Sequence, residues 1–242
     1  MPDSIVTQVH DYSDSETALR GFLARPEGDS PRPGIVVFHD YKGEGEYVHM
    51  RAKMLAELGY VALAADVYGA DVRPAAREEA IAQVGKYRGD RPLTRRRANA
   101  ALKALLEQPG VDPNRIAAIG YCFGGMVALE LARSGARIAG VVAFHSGLES
   151  PTPGDAVHIR AKILILNGGD DHHVGIAQTE AFIKEMRLGK VDWQVHLFGN
   201  TVHSYTNPGA GSDPSTGSAY NALSDRRAWQ AMRNFFDEIF GA

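Results

Sequence analysis

The sequence has only one cysteine, Cys122, among its 242 residues. A disulfide within one subunit is therefore impossible, and this composition is typical of a reducing compartment, so we predict a cytoplasmic protein. The first five residues also lack a charged segment leading into an apolar core, which argues against a secretory leader. No apolar run approaches the length of a membrane span, and we expect no membrane partner.

Neither sign of charge is in large excess, since 26 basic residues face 29 acidic ones and the formal net charge is −3. This balance excludes the strongly basic surface of most nucleic-acid-binding proteins, so no nucleic-acid partner is expected. Hydrophobic residues make up 44% of the chain, enough to bury a large core. We predict a single domain over residues 1–242, and the sequence carries no signal for an oligomeric state.

Strand-like and helix-like segments alternate along the chain, which predicts an α/β fold with a mostly parallel central sheet and helices on both faces. The predicted strands are residues 5–9, 18–24, 34–39, 61–65, 116–119, 138–144, 163–166 and 191–197. The predicted helices are residues 48–58, 75–84, 93–107, 126–131, 177–188 and 220–240. The polar, arginine-rich residues 69–92 are interpreted as an excursion over the active-site face, and residues 207–218 as a surface loop.

The strongest motif surrounds the single cysteine. An apolar run, residues 116–119, leads into Gly120-Tyr121-Cys122-Phe123-Gly124, and a helix-prone segment follows at once. This strand–turn–helix context is that of a nucleophile elbow, with a cysteine where serine is usual. The flanking glycines allow strand and helix to approach closely at a strained turn. The alternative is a small, buried structural thiol.

Partners for Cys122 are expected after later strands, because sites in open α/β sheets form beyond the carboxyl ends of the strands. Asp171 follows the strand at residues 163–166, and His203 follows the strand at residues 191–197. The chain order Cys122, Asp171, His203 is the nucleophile–acid–histidine order of α/β-hydrolases. We therefore predict a catalytic triad of these three residues.

Each residue type in this triad has a chemical reason. Most of a free thiol is protonated at neutral pH, so His203 is needed to take its proton and later return it to the leaving group. Asp171 orients the imidazole and stabilises its charged form. The N–H of Phe123 is the natural first oxyanion donor, and the N–H of Tyr41, after the strand at residues 34–39, is the expected second.

These acids and bases also have simpler interpretations. Asp170 and Asp171 fit an ordinary turn or a helix cap, and His203 fits a loop residue with a structural hydrogen bond. The run Asp170-Asp171-His172-His173 also suggests a metal cluster. It lacks the helical spacing of a zinc-binding His-Glu-x-x-His motif and has no cysteine pair nearby, so we expect neither a metal nor another cofactor.

With the triad placed, the chain from about Gly34 to its end resembles the dienelactone hydrolase (carboxymethylenebutenolidase) family. These are α/β-hydrolases with a cysteine nucleophile. The resemblance is carried by three motifs and by the segment at residues 58–69. The motifs are residues 120–125 (GYCFGG), 168–174 (GGDDHHV) and 202–205 (VHSY). It implies the same triad, and Tyr41 and Phe123 as the oxyanion donors.

Two departures from the family concern the thiol and the substrate. Family members often carry a glutamate that contacts the resting thiol, and the matching position here is Asp40, one methylene shorter, so Asp40 is a candidate thiol-modulating residue. Members specialised for dienelactone grip its carboxylate with arginines, one of them shortly after the catalytic histidine, where this chain has Asn207. The remaining candidates for substrate binding are Arg88 and Arg91 in the excursion, and Tyr205 and His39 near the predicted site.

We therefore expect a hydrolase that acts on small-molecule carboxylic esters or lactones, neutral ones rather than dienelactone, through a thioacyl-enzyme. A soft thiolate beside an oxyanion hole is also suited to attack on an activated phosphotriester. The alternative from another class is a non-catalytic redox-sensing or binding protein on the same fold. Transfer of the acyl group to an alcohol or amine instead of water also stays open.

Overall fold

The structure is a computed structural model that describes residues 4–15 and 17–241. The chain forms two compact units, one ending at Ile119 and one beginning at Gly120. The absence of a secretory leader was inferred partly from residues 1–3, which lie outside the described residues. In the part of the chain that is described, no helix is both long and apolar enough to cross a membrane.

The first unit opens with a long hairpin. Strand β1 (Ile5–Asp14) pairs antiparallel with β2 (Thr17–Pro26), from Ile5 opposite Pro26 to Asp14 opposite Thr17. Both strands run further than predicted, because the polar residues expected to form the turn continue the ladder. The polypeptide leaves β1 only at Ser15, whose φ of 53° lies in the left-handed region.

Three further strands complete the sheet of this unit. Strand β3 (Arg32–Phe38) pairs parallel with β4 (Val61–Ala65), which also pairs antiparallel with β2. Strand β5 (Val111–Tyr121) follows β3, so the order in this unit is β1-β2-β4-β3-β5. The central strands β3 and β4 are apolar and almost wholly buried, as expected for strands covered on both faces.

Three helices belong to the first unit: α1 (Glu46–Glu57), α2 (Arg77–Gly89) and α3 (Arg91–Leu106). Helix α2 runs beyond the predicted end at residue 84 because Gly85 is accommodated inside it, at a typical cost of only about 1 kcal/mol. Helix α3 begins before the predicted Leu93. The Asp90 carboxylate caps it by accepting from the Leu93 N–H at 2.8 Å, and Pro92 lies in the first turn, where its missing N–H costs nothing.

The second unit contains the end of β5, followed by β6 (Gly140–Phe144), β7 (Lys162–Gly168) and β8 (Trp193–Phe198) in that spatial order. The pairs β6–β7 and β7–β8 are parallel. Its helices are α4 (Phe123–Arg133), α5 (Ile176–Gly189) and α6 (Ala222–Phe240). The predicted surface loop is largely exposed and contains two 3-10 turns, Pro208–Ala210 and Pro214–Thr216.

Strand β5 runs from the first unit into the second, and the strands of each unit follow the order of a mostly parallel sheet. The predicted α/β-hydrolase fold is confirmed by this architecture. The single-domain organisation over residues 1–242 stays a prediction.

Candidate active site

Cys122 lies at the junction between β5 and α4, with φ 54° and ψ −112°. A non-glycine residue is held in this region at a cost of about 1–3 kcal/mol, so the surrounding structure must fix it. The Cys122 N–H donates to the Phe144 carbonyl of β6 at 3.0 Å, and the Cys122 carbonyl accepts from the Gly125 N–H at 3.2 Å. The thiol stays partly exposed, which a buried structural cysteine would not be.

Two glycines near Cys122 are required by close backbone approach. A Cβ on Gly120 would lie 2.0 Å from the Gly124 carbonyl oxygen. A Cβ on Gly125 would lie 2.4 Å from the Cβ of Ser146. Because real Cβ contacts are never this short, the elbow requires glycine at both positions.

The second unit brings Cys122, His203 and Asp171 into one hydrogen-bonded chain. The Nε2 of His203 lies 3.1 Å from the Sγ of Cys122, and its Nδ1 lies 2.7 Å from the Oδ2 of Asp171. Asp171 is 4% exposed and His203 is 8% exposed, so water screens neither strongly. The aspartate and the histidine therefore meet the nucleophile in the order that the sequence predicts.

Asp171 is held in place by the loop after β7. Its Oδ1 accepts hydrogen bonds from the N–H groups of His173 at 2.8 Å and Val174 at 3.2 Å, which leaves Oδ2 for His203. The capping and catalytic interpretations of this residue are therefore compatible. Asp170 is exposed, and its N–H donates to the Thr201 carbonyl at 3.0 Å. This residue therefore belongs to the surface of the loop.

His203 is held from both sides of its backbone. Its N–H donates to the Gly217 carbonyl at 3.2 Å, and its carbonyl accepts from the Ala219 N–H at 3.1 Å. These contacts form a parallel bridge opposite Ser218. The sequence interpretation of residues 207–218 as a surface loop missed this function, because no local pattern reveals which backbone groups a loop will meet.

Two further histidines contact the His203 ring. The rings of His145 and His173 lie 5.1 and 5.0 Å from it, both edge-to-face. His145 is buried with φ 37°, and its Nε2 lies 2.7 Å from the Thr206 hydroxyl. His173 is exposed.

The pKa of His203 is raised from 6.5 to about 10. Burial opposes this by disfavouring the charged ring, but the hydrogen bonds to Asp171 and Cys122 raise the pKa and outweigh the burial. The imidazolium form is therefore favoured at neutral pH.

The two predicted oxyanion donors lie in different units. Phe123 is the buried first residue of α4, directly after the nucleophile. Tyr41 lies in the loop after β3, and no described residue accepts a hydrogen bond from its N–H. A free N–H is a property that an oxyanion donor needs, and both assignments stay predictions.

The candidate thiol-modulating residue Asp40 is largely buried in the same loop. Its Oδ1 accepts a hydrogen bond from the Lys42 N–H at 2.8 Å. This hydrogen bond is typical of a carboxylate that caps a loop, an interpretation that needs no contact with the thiol. The effect of Asp40 on the thiol stays a prediction.

The structure does not support direct substrate contact by two of the four candidate binding residues. Tyr205 is fully buried and its hydroxyl donates to the Leu166 carbonyl at 2.9 Å. His39 is also fully buried, with both ring nitrogens in hydrogen bonds to the backbone. Sequence position placed both near the site but did not reveal where their side chains point.

The two candidate arginines both lie in the first unit. Arg88 is exposed in the last turn of α2, without a hydrogen-bond or ion-pair partner among residues 4–15 and 17–241. Arg91 is half-buried at the start of α3. Their contact with substrate stays a prediction. Arg73, in the same arginine-rich segment, is neutralised by Glu44 at 3.6 Å and Asp66 at 3.4 Å.

Other features of the molecule do not compete with this site. Within the described residues, no group of three or more His, Cys, Asp or Glu side chains is placed to hold a metal ion. A surface groove of about 490 Å³ lies against β8 and α6, where His196 and Arg227 are among its lining residues. None of the triad residues lines that groove.

Comparisons with known proteins identify relatives that match nearly the whole chain. The sequence profile of the dienelactone hydrolase family matches residues 19–240. A solved structure named m3DLH is 42% identical in sequence, with a TM-score of 0.93. The match covers 97% of this chain and 98% of that one. The crystal structure of a dienelactone hydrolase-like promiscuous phosphotriesterase from metagenomic libraries is 43% identical, covers 98% and 99% of the two chains, and has a TM-score of 0.91.

A protein of Yersinia pestis named "Putative carboxymethylenebutenolidase" is 25% identical over 232 residues, which is 91% of this chain and 84% of that protein. The family profile covers nearly the whole chain, and two structures above 40% identity share its fold from end to end. The resemblance noted from the motifs is thereby confirmed, and the chain belongs to the dienelactone hydrolase family.

Proposed function

We propose that this protein hydrolyses carboxylic esters or lactones with Cys122 as nucleophile, His203 as acid and base, and Asp171 as the residue that orients the histidine. One observation carries the proposal. A partly exposed Sγ lies 3.1 Å from Nε2 of His203, whose Nδ1 lies 2.7 Å from a buried carboxylate. The membership in a family of lactone and ester hydrolases supports the same reaction class.

Acylation begins from the charged pair. The Cys122 thiolate attacks the substrate carbonyl carbon, and the carbonyl electron pair moves onto oxygen, where the N–H of Phe123 is the proposed hydrogen-bond donor. Collapse of this intermediate breaks the bond to the leaving oxygen, which takes the proton from Nε2 of His203. The products are an alcohol and a thioester on Cys122. With a lactone, the alcohol stays attached to the acyl group.

Deacylation uses the same groups in reverse. His203, now neutral, takes a proton from water, and the resulting hydroxide attacks the thioester carbonyl. The second tetrahedral intermediate expels the Cys122 sulfur as a thiolate and releases the carboxylic acid. The imidazolium is regenerated, and the Asp171 carboxylate stabilises it throughout. No step requires a redox change.

Neutral acyl and leaving groups are the proposed substrates. The position after the catalytic histidine that holds an arginine in dienelactone-specialised members holds Asn207 here. The Oδ1 of Asn207 accepts from the Gly209 N–H at 2.8 Å, so this side chain caps a turn. It offers no fixed positive charge to a substrate carboxylate.

The experiment combines turnover with detection of the covalent intermediate. Wild type and the Cys122→Ala and Cys122→Ser variants are assayed with p-nitrophenyl butyrate, and the protein is examined by intact mass after rapid acid quenching. We expect a butyryl adduct on wild type, removed by hydroxylamine, and no turnover by Cys122→Ala. Turnover by Cys122→Ala at the wild-type rate would overturn the proposal. Stable sulfenylation of Cys122 without esterase activity would favour a redox sensor instead.

Hydrolysis of activated phosphotriesters is a second candidate activity. A solved relative that is 43% identical over nearly the whole chain is described as a promiscuous phosphotriesterase. In the proposed step the Cys122 thiolate attacks phosphorus, an aryl oxide leaves with the proton from His203, and water later cleaves the phosphorus–sulfur bond. The test is rapid mixing with diethyl p-nitrophenyl phosphate. A Cys122-dependent burst of p-nitrophenol supports this activity, and the absence of both burst and turnover counts against it.

A further inference from the structure

Strand β8 is an edge strand without the features that usually protect an edge. It pairs with β7 on one side, and no strand of residues 4–15 and 17–241 pairs with its other side. Natural edge strands are protected from pairing with other chains by charged residues, by proline or by a bulge. The residues of β8 include no proline and no Lys, Arg, Asp or Glu, whereas the edge strand β1 carries Asp11 and Asp14. Strand β8 is therefore an edge that needs a cover.

The outward backbone groups of β8 form a pattern that a second copy of the strand can match. The carbonyls of Asp192 and Phe198 accept hydrogen bonds from residues around β7 at 2.9 and 2.7 Å. Both backbone groups of a strand residue point to the same side, and that side alternates along the strand. The N–H and C=O groups of Trp193, Val195 and Leu197 therefore point outwards, and they have no partner in the described part of the chain. Two copies of β8 that run antiparallel bring these rows of donors and acceptors together.

Helix α6 lies beside this edge and presents one stripe of its surface to the groove of about 490 Å³. The members of this stripe recur three or four positions apart, so they share one face of the helix. The exposed and half-buried residues of α6 that line the groove are Arg227, Gln230, Ala231, Asn234 and Glu238. The stripe therefore has opposite charges at its two ends and a small residue near its middle.

The charges of the stripe are complementary to those of a second copy. Arg227 has no hydrogen-bond or ion-pair partner among the described residues. Glu238 pairs with Lys162 at 2.6 Å, yet its side chain is still 45% exposed. When two α6 helices run antiparallel about a two-fold axis near the middle of the stripe, each Arg227 meets the Glu238 of the other copy. Ala231, near that axis, allows the two helices to approach closely.

One axis can relate both elements. Gln194 at the start of β8 lies 3.5 Å from Glu238 near the end of α6, so the helix runs antiparallel to the strand. The middle of the strand and the middle of the stripe therefore lie side by side. A small anion bound at Arg227 would leave the edge strand open and would share the groove with the Glu238 carboxylate. A second copy of the chain satisfies the strand and both charges together.

We propose that β8 and α6 form a two-fold interface with a second copy of this chain, in which the β8 strands pair antiparallel and Arg227 of each α6 pairs with Glu238 of the other. A two-fold contact uses the same surface on both copies, so one self-complementary face is sufficient. Addition of a strand to an open sheet edge gives the main-chain hydrogen bonds of this interface. The interface goes beyond the proposed function and contains none of the triad residues.

Charge reversal tests the pairing of the two helices. In Arg227→Glu two glutamates meet at each contact, and in Glu238→Arg two arginines meet, so each variant alone should associate weakly. In a mixed dimer of the two variants, an arginine meets a glutamate at both contacts again. Arg233→Glu is the matched control, because it makes the same charge change at an exposed position of α6 that does not line the groove.

Sedimentation equilibrium over a concentration series measures the association. We expect wild type and Arg233→Glu to approach twice the 26.2 kDa mass of one chain. The dissociation constant of Arg227→Glu and of Glu238→Arg should rise by at least about tenfold, because like charges across an interface oppose association. The equimolar mixture of these two variants should recover association close to that of wild type. The proposal is wrong if wild type stays monomeric throughout, if either reversal leaves the dissociation constant unchanged, or if the mixture does not associate.

Hydrogen exchange of wild type provides a second test, which decides alone if a charge reversal prevents folding. The N–H groups of Val195 and Leu197 point outwards, so their exchange should slow by about tenfold or more at protein concentrations where the dimer forms. Exchange in β1 (Ile5–Asp14) is the control and should not depend on concentration. A dimer in which the β8 amides exchange as fast as in the monomer would use another surface, and this result would overturn the proposal.

Discussion

Arg133 and Glu185 form a two-point ion pair inside the second unit. The Nε of Arg133 lies 2.7 Å from Oε1 of Glu185, and one of its terminal nitrogens lies 2.8 Å from Oε2. Arg133 also contacts the carboxylate of Glu130 at 3.1 Å, and all three side chains are buried. Arg133 ends α4, the helix that starts after Cys122, and Glu185 lies on α5, so the pair joins the helices that follow Cys122 and Asp171.

Loss of this arginine should destabilise the fold strongly. Arg133→Met removes the positive charge that pairs with two buried carboxylates, and breaking a buried pair in this way costs about 3–5 kcal/mol. Urea denaturation measures the loss, and Arg20→Met is the matched control, because the Arg20–Asp11 pair has the same 2.7 Å length but is exposed. Equal losses in free energy of unfolding for the two variants would contradict the prediction.

The elbow should not tolerate a methyl group at Gly120. Gly120→Ala would place Cβ 2.0 Å from the Gly124 carbonyl oxygen, so strand and helix must separate. We expect a loss of about 3 kcal/mol in stability and of about a hundredfold in esterase kcat/KM. Gly85→Ala in α2 is the control, since its Cβ would meet nothing within 4 Å and alanine is the better helix former. A fully active Gly120→Ala enzyme would refute this account of the turn.

The acid of the triad can be distinguished from its neighbour. Asp171→Asn keeps an oxygen for the N–H groups of His173 and Val174 but removes the charge that orients His203 and stabilises its protonated form. We expect kcat to fall by between about a hundredfold and ten-thousandfold. Asp170→Asn, at an exposed position, should retain wild-type kcat in the same ester assay. If Asp170→Asn loses activity and Asp171→Asn does not, Asp170 is the carboxylate that assists His203.

The raised pKa of His203 makes stability depend on pH with a defined sign. The folded protein binds the His203 proton with a pKa of about 10, against 6.5 for the free side chain, so protonation favours folding. This contribution is fully present below pH 6.5 and is lost as pH rises towards 10. The free energy of unfolding of wild type, measured in urea, should fall between pH 6.5 and 10. A His203→Asn variant should lack the part of this fall that comes from His203. The same pH slope in both proteins would contradict the assignment.

Charge on the substrate should reduce turnover. Asn207 caps its own turn, and Arg73 is neutralised by two carboxylates, so neither supplies a free cation. A neutral ester should therefore have a higher kcat/KM than its analogue with a carboxylate on the acyl chain. Arg88→Gln and Arg91→Gln test the two remaining cations. If either variant loses activity only on the anionic ester, that arginine binds substrate after all.

The three residues of the proposed triad could be selected from the sequence because they follow apolar strands that are recognisable by local pattern. Cys122, Asp171 and His203 each come just after such a strand, and parallel strands bring their carboxyl ends to one edge of a sheet. The lengths of β1, β2 and α2 were less predictable. Polar residues continue a ladder when a partner strand is present, and a helix tolerates a glycine when its neighbours are already ordered.

Side-chain direction is the property that the sequence did not reveal. His39 and Tyr205 follow the right strands, yet both are fully buried and bonded to backbone. Their orientation depends on contacts with residues far away in the chain, such as Val67 and Leu166. No local periodicity records such contacts.

The sequence by itself therefore determined the family and the mostly parallel sheet, and it predicted the members and order of the proposed triad, since these depend on residue type and spacing along strands. Only the tertiary structure decided that a surface loop holds the backbone of His203, that Arg133 joins the helices after Cys122 and Asp171, and that His39 holds the peptide carrying the Tyr41 N–H. Some of these contacts join residues up to 52 positions apart, and others depend on the orientation of a buried ring. Packing between residues that are distant in the sequence determines the contacts and the ring orientation.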